Sequence, residues 1–162
     1  MTEPKTEPVL FSSEEYVQRV TAFLKAASGW CTDRGLSVET EALTLREEGL
    51  AEYEAPSLYI SKDAVSVAKI LPIGSKIIGA YGRLDLIGRV SRHAFLFYSG
   101  NGPAFSTQTI VKGRITSSSS APMLSGVDGE GWYWIEARVR RARRVEENLF
   151  IDLLTDVSDY EF

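Results

Sequence analysis

The segment 83-RLDLIGRVSRHAFLFY-98 decides the fold class. In its first half the positions alternate with the period of two that a strand requires. Leu84, Leu86 and Val90 fall on one face, while Arg83, Asp85, Ile87 and Arg89 fall on the other. A second β-favouring run follows at 93–99 after a short polar break. This break is too short for a helical crossover, so the two strands must be antiparallel.

Similar short runs extend in both directions, separated by glycine, proline, aspartate or serine. Before this segment we predict strands near 42–46, 50–54, 57–61, 64–71 and 75–81. The composition of residues 99–131 predicts exposed loops around one strand near 107–115. The run that begins at Trp132 is predicted to be the last strand. These spacings favour a mainly antiparallel meander.

Helical patterns lie at both ends of the chain. Ser12 and Glu15 have the spacing of a capping box, and the apolar stripe that follows predicts a helix ending at Gly29. Residues 148–157 form a second amphipathic helix, for which Asn148 is the predicted N-cap. We therefore expect an α+β fold, with an N-terminal and a C-terminal helix packed on a mainly antiparallel meander sheet. The domain should span residues 12–162 and follow a flexible tail at 1–11.

The composition is that of an ordinary globular protein. Of 162 residues, 44% are hydrophobic and 25% charged, which excludes the usual composition of disordered chains. The opening MTEPKTEP lacks the apolar core of a signal peptide, and no later window holds the ~20 apolar residues of a membrane span. We therefore expect a cytoplasmic protein without a membrane partner. Cys31 is the only cysteine, so the chain cannot form an intrachain disulfide.

Charge is distributed unevenly along the chain. Residues 1–63 carry twelve acids and six bases, and residues 128–162 carry nine acids and five bases. Residues 64–127 carry seven bases and a single acid, Asp85. Two interpretations remain open. The ends and the middle could neutralise one another when packed together, or the central sheet could present an anion-binding surface.

The sequence contains few of the residue combinations that form nucleophilic, metal or phosphate-binding sites in enzymes. His93 is the only histidine, and the chain has no Gly-x-Ser-x-Gly motif. One cysteine and one histidine make a zinc site improbable. The glycines from Gly74 to Gly88 fall between predicted strands rather than between a strand and a helix, unlike a phosphate-binding loop. We therefore predict no catalytic residues, no metal site and no cofactor.

Two neighbouring segments nevertheless carry a short resemblance to an enzyme family. The strand Gly82–Leu86 with Asp85, followed by 94-AFLFY-98, resembles the strand pair of PD-(D/E)xK nucleases. In that family the first strand bears a metal-binding aspartate and the second bears Glu-x-Lys. The resemblance implies a metal-dependent nuclease-like hydrolase using Asp85. The second segment has neither glutamate nor lysine, so a metal ligand and the lysine are missing.

A cluster of arginines follows the aromatic run Trp132–Trp134, with five arginines within residues 138–144. Tryptophan, tyrosine and arginine are enriched in protein interfaces, and arginine beside aromatic residues also suits single-stranded nucleic acid. A third interpretation is structural, with the aromatic rings in the core and the arginines paired with acids downstream. The candidate binding residues are Trp132, Trp134, Arg138, Arg140, Arg83, Arg89 and Arg92.

These observations favour a non-catalytic protein-binding or regulatory module whose partner is another protein. By analogy with small acidic α+β domains, we consider an immunity- or antitoxin-type protein that covers a basic partner. The acidic stretches Glu39–Glu54 and Glu146–Glu161 would then face that partner. One alternative is a nucleic-acid-binding domain that uses the basic central sheet and Arg138–Arg144, although a pI near 5.1 argues against nonspecific binding. The other alternative is the Asp85-dependent hydrolase.

Overall fold

The computed structural model describes residues 12–162, apart from the side chains of residues 105–107 and 116–119. Over these residues the chain forms two α-helices and nine strands. In chain order they are α1 (Ser13–Thr32), β1 (Ser37–Leu45), β2 (Tyr53–Lys62), β3 (Val65–Gly74), β4 (Arg83–Gly88), β5 (Arg92–Tyr98), β6 (Ala104–Val111), β7 (Arg114–Pro122), β8 (Gly131–Glu136), β9 (Arg141–Arg144) and α2 (Glu147–Ser158). One turn of 3₁₀-helix, Ala137–Val139, separates β8 from β9.

Seven of the strands form one antiparallel sheet in the order β1-β2-β3-β4-β5-β8-β9. Every strand lies beside its predecessor in this sheet, except that the hairpin β6–β7 is inserted between β5 and β8. Helix α1 packs against β1, β2 and β3, while α2 packs against β3, β4 and β5. The predicted α+β fold, with a terminal helix at each end of a meander sheet, is confirmed.

The main core lies between the two helices and one face of the sheet. Leu84 and Leu86 of β4 are fully buried there, as their predicted alternation requires. The Phe23 ring of α1 lies 5.6 Å from the Phe95 ring of β5 and 6.3 Å from the Phe150 ring of α2. Aromatic edge contacts therefore join both helices to the centre of the sheet.

A smaller apolar cluster covers part of the opposite face. It contains Tyr98 of β5, Tyr133 of β8 and Ala142 of β9, covered by Ala80 and Val127 from two loops. The β3–β4 loop and the segment between β7 and β8 therefore fold back over the end of the sheet.

Several predicted element bounds are wrong. The single strand β2 contains the run at 57–61 and the last two residues of the run at 50–54. Residues 75–81 form a loop that contains only an isolated Ile77–Ala80 bridge. The Glu47 carboxylate accepts hydrogen bonds from the backbone amides of Ser75 and Lys76, at 2.9 and 2.8 Å. A side chain therefore satisfies amides that a neighbouring strand would otherwise have to pair.

The predicted strand at 107–115 is also wrong, because its centre is a turn. Lys112 and Gly113 have φ angles of 51° and 75°, and Val111 pairs with Arg114 across them. Two central residues with positive φ define the type I′ turn of a two-residue hairpin. The serine run 117–120, predicted to be a loop, is part of strand β7.

The helix starts and ends were predicted in part. Ser12 caps α1 as predicted, because its hydroxyl accepts a hydrogen bond from the Glu15 amide at 3.1 Å. Gly29 does not end this helix, which continues to Thr32 because its buried stripe extends to Cys31. Glu146, not Asn148, is the N-cap residue of α2. The predicted tail at 1–11 lies outside the described residues. Within residues 12–162, neither helix is long and apolar enough to cross a membrane.

Candidate partner-binding surfaces

Two of the predicted cations surround one buried carboxylate. Arg83 Nε donates to Asp85 Oδ1 at 2.7 Å, and an Arg92 guanidinium nitrogen donates to Asp85 Oδ2. Asp85 is fully buried, whereas the arginine side chains are 37% and 59% exposed. The hydrogen bond that Arg83 donates to Asp85 raises the pKa of Arg83. Asp85 is thus a charge partner of Arg83 on its own strand and of Arg92 on the neighbouring strand β5.

Arg89 lies in the turn between β4 and β5 and is exposed. With Tyr59, Lys69 and Ile87 it lines an open groove of about 450 Å³. Tyr59 pairs with Lys69, and Lys69 pairs with Ile87, so these three side chains form one row across β2, β3 and β4. Lys69 is not among the binding residues predicted from the sequence, because its cross-strand neighbours are known only once the strand register is known.

The two candidate tryptophans occupy different environments. Trp132 is only 7% exposed and lies in the main core, where its ring centroid is 5.3 Å from that of Phe97. Its indole N–H donates to the Arg19 carbonyl at 3.3 Å. Trp134 is half-buried, and its indole N–H donates to His93 Nδ1 at 3.2 Å. Trp132 is therefore part of the core packing, and only Trp134 reaches the surface.

His93 also contacts Asp156 of α2, with Nε2 2.6 Å from the Asp156 carboxylate. An indole N–H can only donate, so Nδ1 of His93 accepts and Nε2 carries the ring proton. In this arrangement both ring nitrogens of His93 contact protein groups, Nδ1 the Trp134 indole and Nε2 the Asp156 carboxylate. The Trp134–His93–Asp156 chain joins β8, β5 and α2, and its geometry is that of a structural connection.

The remaining reactive groups do not assemble into a reactive set. Cys31 is fully buried, and burial raises the pKa of its thiol to about 12, so the thiol stays protonated near neutral pH. In the described part of the chain, no three histidine, cysteine, aspartate or glutamate side chains come together as metal ligands. Both Asp85 carboxylate oxygens already accept from arginines.

All five arginines of the segment 138–144 are exposed, but they differ in their partners. Arg144 donates to the carbonyls of Glu130 and Asp128, at 2.7 and 2.6 Å, and its guanidinium lies 4.9 Å over the Tyr133 ring. Arg143 lies 3.6 Å from Glu136. No carboxylate among the described residues lies within ion-pair distance of the other members: Arg138, Arg140 and Arg141.

The hairpin β6–β7, which we call the arm, forms a separate two-stranded sheet. Each strand has eight or nine residues, so the arm is roughly 25 Å long at about 3.3 Å per residue. Every residue from Gln108 to Ile115 is exposed. At the tip Ile110, Val111 and Ile115 are 63%, 51% and 61% exposed, beside Lys112 and Arg114.

The base of the arm adjoins the exposed arginines. Met123 and Val139 are 40% and 55% exposed, and with Arg140 they line an open groove of about 450 Å³. The Ser125 amide donates to the Arg140 carbonyl at 3.1 Å, which fixes the segment after the arm beside the arginines. The sequence did contain a signal for the arm, since Lys112-Gly113-Arg114 stands between the β-branched runs Thr109–Val111 and Ile115–Thr116.

No protein-family model, curated protein or solved structure matches this chain. Its function must therefore be inferred from its own geometry.

Proposed function

We propose that this chain is a non-catalytic partner-binding protein that contacts another protein through the arm and the arginines at the base of the arm. The observation that carries this proposal is the exposure of Ile110, Val111 and Ile115 on a hairpin tip surrounded by solvent. Ile110 and Ile115 are direct cross-strand partners, so their side chains lie on the same face of the arm.

The energetics favour an intermolecular role for the tip. A fully buried valine or isoleucine side chain contributes about 1.5–3 kcal/mol, and here more than half of each of the three residues remains exposed. An apolar cluster with a charged rim is typical of a protein contact site. The only ionisable side chains between residues 99 and 127 are Lys112 and Arg114, so the tip favours an acidic partner surface.

The other predicted binding residues contribute to this proposal unequally. Arg138 and Arg140 are exposed near the base of the arm and are proposed to contact the partner, together with Met123 and Val139. Trp134 contributes only the half-buried edge of its ring. Arg83 and Arg92 are held by Asp85, which lowers the net charge they offer to a partner.

Site-specific photo-crosslinking tests the proposal. A photoreactive residue at Val111 should capture a protein from native lysate, whereas the same residue at Ala22, an exposed position on α1, should not. Capture should fall at least several-fold in the Ile110→Ser/Ile115→Ser variant, because two apolar contacts are lost. Equal capture from both positions, or unchanged capture in the variant, would contradict the proposal.

Nucleic acid is the second candidate, supported by Arg138, Arg140 and Arg141, which lie without a carboxylate partner in the described region. A fluorescent single-stranded oligonucleotide should then bind with an affinity that falls steeply as salt rises, because each phosphate contact releases counterions. Replacing the three arginines by alanine should reduce both the affinity and this salt slope. Absence of binding at low salt would remove this candidate.

A further inference from the structure

The two edges of the seven-stranded sheet are protected differently. At one edge, Ser125 covers β9, because the Ala142 amide donates to the Ser125 carbonyl at 2.8 Å and the Ser125 amide donates to Arg140. At the other edge lies β1, which pairs with β2 over nine consecutive residues without a bulge. Among residues 12–162, no segment pairs with the outer edge of β1. A regular edge of this length is an open template for another strand.

One hydrogen bond identifies the backbone groups that face outward. The Ser57 hydroxyl donates to the Glu41 carbonyl at 2.8 Å, so this carbonyl points toward β2. In an antiparallel pair, successive residues alternate between facing the partner strand and facing away. The N–H and C=O groups that face outward are therefore those of Val38, Thr40, Ala42 and Thr44. Ala42 pairs with Pro56, which has no N–H to donate, in agreement with this assignment.

The same edge is strongly acidic. Residues 37–54 carry six glutamates and one base, Arg46, which is bonded to Glu52 at 2.8 Å. Glu39 and Glu41 on β1 are both exposed and lie on one face of the strand. An added strand with lysine or arginine at alternate positions would place its cations beside these carboxylates.

We propose that the outer edge of β1 binds an extended, cationic segment of a partner protein as an eighth strand of the sheet. Backbone hydrogen bonds from the outward-facing groups supply affinity, and Glu39 and Glu41 select the cationic sequence. A second copy of this chain is disfavoured, because pairing β1 with itself would bring glutamates near glutamates. The inference concerns the sheet edge opposite the arginines, so binding here and binding at the arm can succeed or fail independently.

A synthetic peptide of alternating lysine and valine is the probe, with the same peptide carrying glutamate for lysine as its control. Titrated into the ¹⁵N-labelled protein, the lysine peptide should shift and protect the amides of Thr40, Ala42 and Thr44 from hydrogen exchange. The amides of Glu39 and Glu41 already face β2 and should change less. Because a dissociation constant near 1 mM is still measurable by this method, no response at about 1 mM lysine peptide overturns the proposal.

Ala42→Pro removes one outward N–H while leaving the pairing with β2 intact, since proline is tolerated on edge strands. This variant should bind the lysine peptide about tenfold more weakly, with an unchanged spectrum elsewhere. Glu39→Lys/Glu41→Lys should abolish binding of the lysine peptide. This double variant tests the proposal if the proline variant fails to fold. Glu14→Lys/Asp152→Lys reverses two exposed helix acids and is the matched control, since it changes the net charge equally.

Other results of these experiments would also contradict the proposal for the β1 edge. If the glutamate peptide bound as tightly as the lysine peptide, Glu39 and Glu41 would not select a cationic sequence. The same conclusion would follow if the helix control lost as much binding as the Glu39→Lys/Glu41→Lys variant. Protection of the outward amides in the free protein would mean that the edge is already covered, by a second copy if the protection depends on concentration and otherwise by the chain itself. Both results overturn the proposal. None of these outcomes changes the result that the arm proposal predicts for photo-crosslinking at Val111.

Discussion

Glu47 holds two distant parts of the fold together through a single carboxylate. It accepts hydrogen bonds from the Ser75 amide at 2.9 Å, the Lys76 amide at 2.8 Å and the Ser75 hydroxyl at 2.8 Å, and a further one from the Tyr53 hydroxyl. Burial would raise the pKa of Glu47, but these hydrogen bonds outweigh it and hold the pKa below its usual value. The contact links the β1–β2 turn to the loop that replaces the predicted strand at 75–81.

We expect Glu47→Gln to lower the free energy of unfolding at pH 7 by about 1–2 kcal/mol, since an amide cannot accept all four hydrogen bonds. Because the folded-state pKa is depressed, the contribution of Glu47 is present above the unfolded-state pKa of about 4.3 and disappears as pH falls through the folded-state value. Urea unfolding between pH 7 and pH 3 should therefore show a smaller loss of stability in the variant than in the parent.

The matched control for this prediction is Glu52→Gln. Glu52 is exposed and, among residues 12–162, bonded only to the exposed Arg46, so its replacement should change stability by less than about 0.5 kcal/mol. If both variants showed equal stabilities and equal pH profiles, the role assigned to Glu47 would be wrong.

Asp85 shows why residue identity alone did not reveal function. In the sequence it is the single acid of a basic region, a position compatible with a metal ligand or with a charge partner. The structure places Arg83 and Arg92 around it, and one buried carboxylate holding two partly exposed arginines leaves a net positive patch. The charge available on the sheet is therefore smaller than a count of basic residues indicates.

At the scale of elements, close backbone contact fixes the position of α2 on the sheet. The Val90 amide donates to the Val157 carbonyl at 2.8 Å, so the last turn of α2 lies directly on the β4–β5 turn. A Cβ atom added to Gly88 would collide with that same carbonyl. Glycine is required here by the close approach of two backbones.

Gly88→Ala should therefore displace the end of α2 and destabilise the fold by about 1–3 kcal/mol, the usual cost of overpacking. Gly29→Ala is the contrasting change. Gly29 lies in the interior of α1 with open space around it, so alanine should stabilise the helix by about 0.5–1 kcal/mol. Thermal unfolding should shift in opposite directions for the two variants. A destabilising Gly29→Ala or a neutral Gly88→Ala would contradict the packing described.

At the scale of the whole molecule, opposite charges lie at opposite edges of the sheet. The β1 edge and the turn after it carry five glutamates, while the β9 edge carries the exposed arginines and the arm. The arm adds exposed surface, and none of its residues whose side chains are described belongs to either apolar cluster. Binding and folding should therefore be separable in this protein.

Replacing residues 104–122 by a two-residue Asn-Gly turn tests this separation. The Met123 amide donates to the Pro103 carbonyl at 2.8 Å, so the two ends of the arm already lie close enough for a short closure. The shortened protein should keep the helical circular dichroism signal of the parent. It should also unfold cooperatively, with a Tm within a few degrees of the parent's, about the shift that 1 kcal/mol produces. Loss of cooperative unfolding would show that the arm supports the core.

The sequence by itself determined the parts of this protein that depend on local pattern. Alternation at 83–90 predicted β4 and its buried leucines, gaps too short for crossovers predicted the antiparallel meander, and apolar stripes predicted both terminal helices. These features depend on residues that are close together in the chain, so the order of residues alone predicts them.

Only the tertiary structure decided which side chains remain available for binding. It placed Trp132 in the core and replaced one predicted strand by a loop held by Glu47. It engaged Arg83 and Arg92 with Asp85, and Arg144 with the backbone carbonyls of Glu130 and Asp128. It also exposed the arm tip and left the edge of β1 unpaired within the described region. The physical reason is that ion pairs, burial and edge exposure depend on distances in space, which period and composition do not specify.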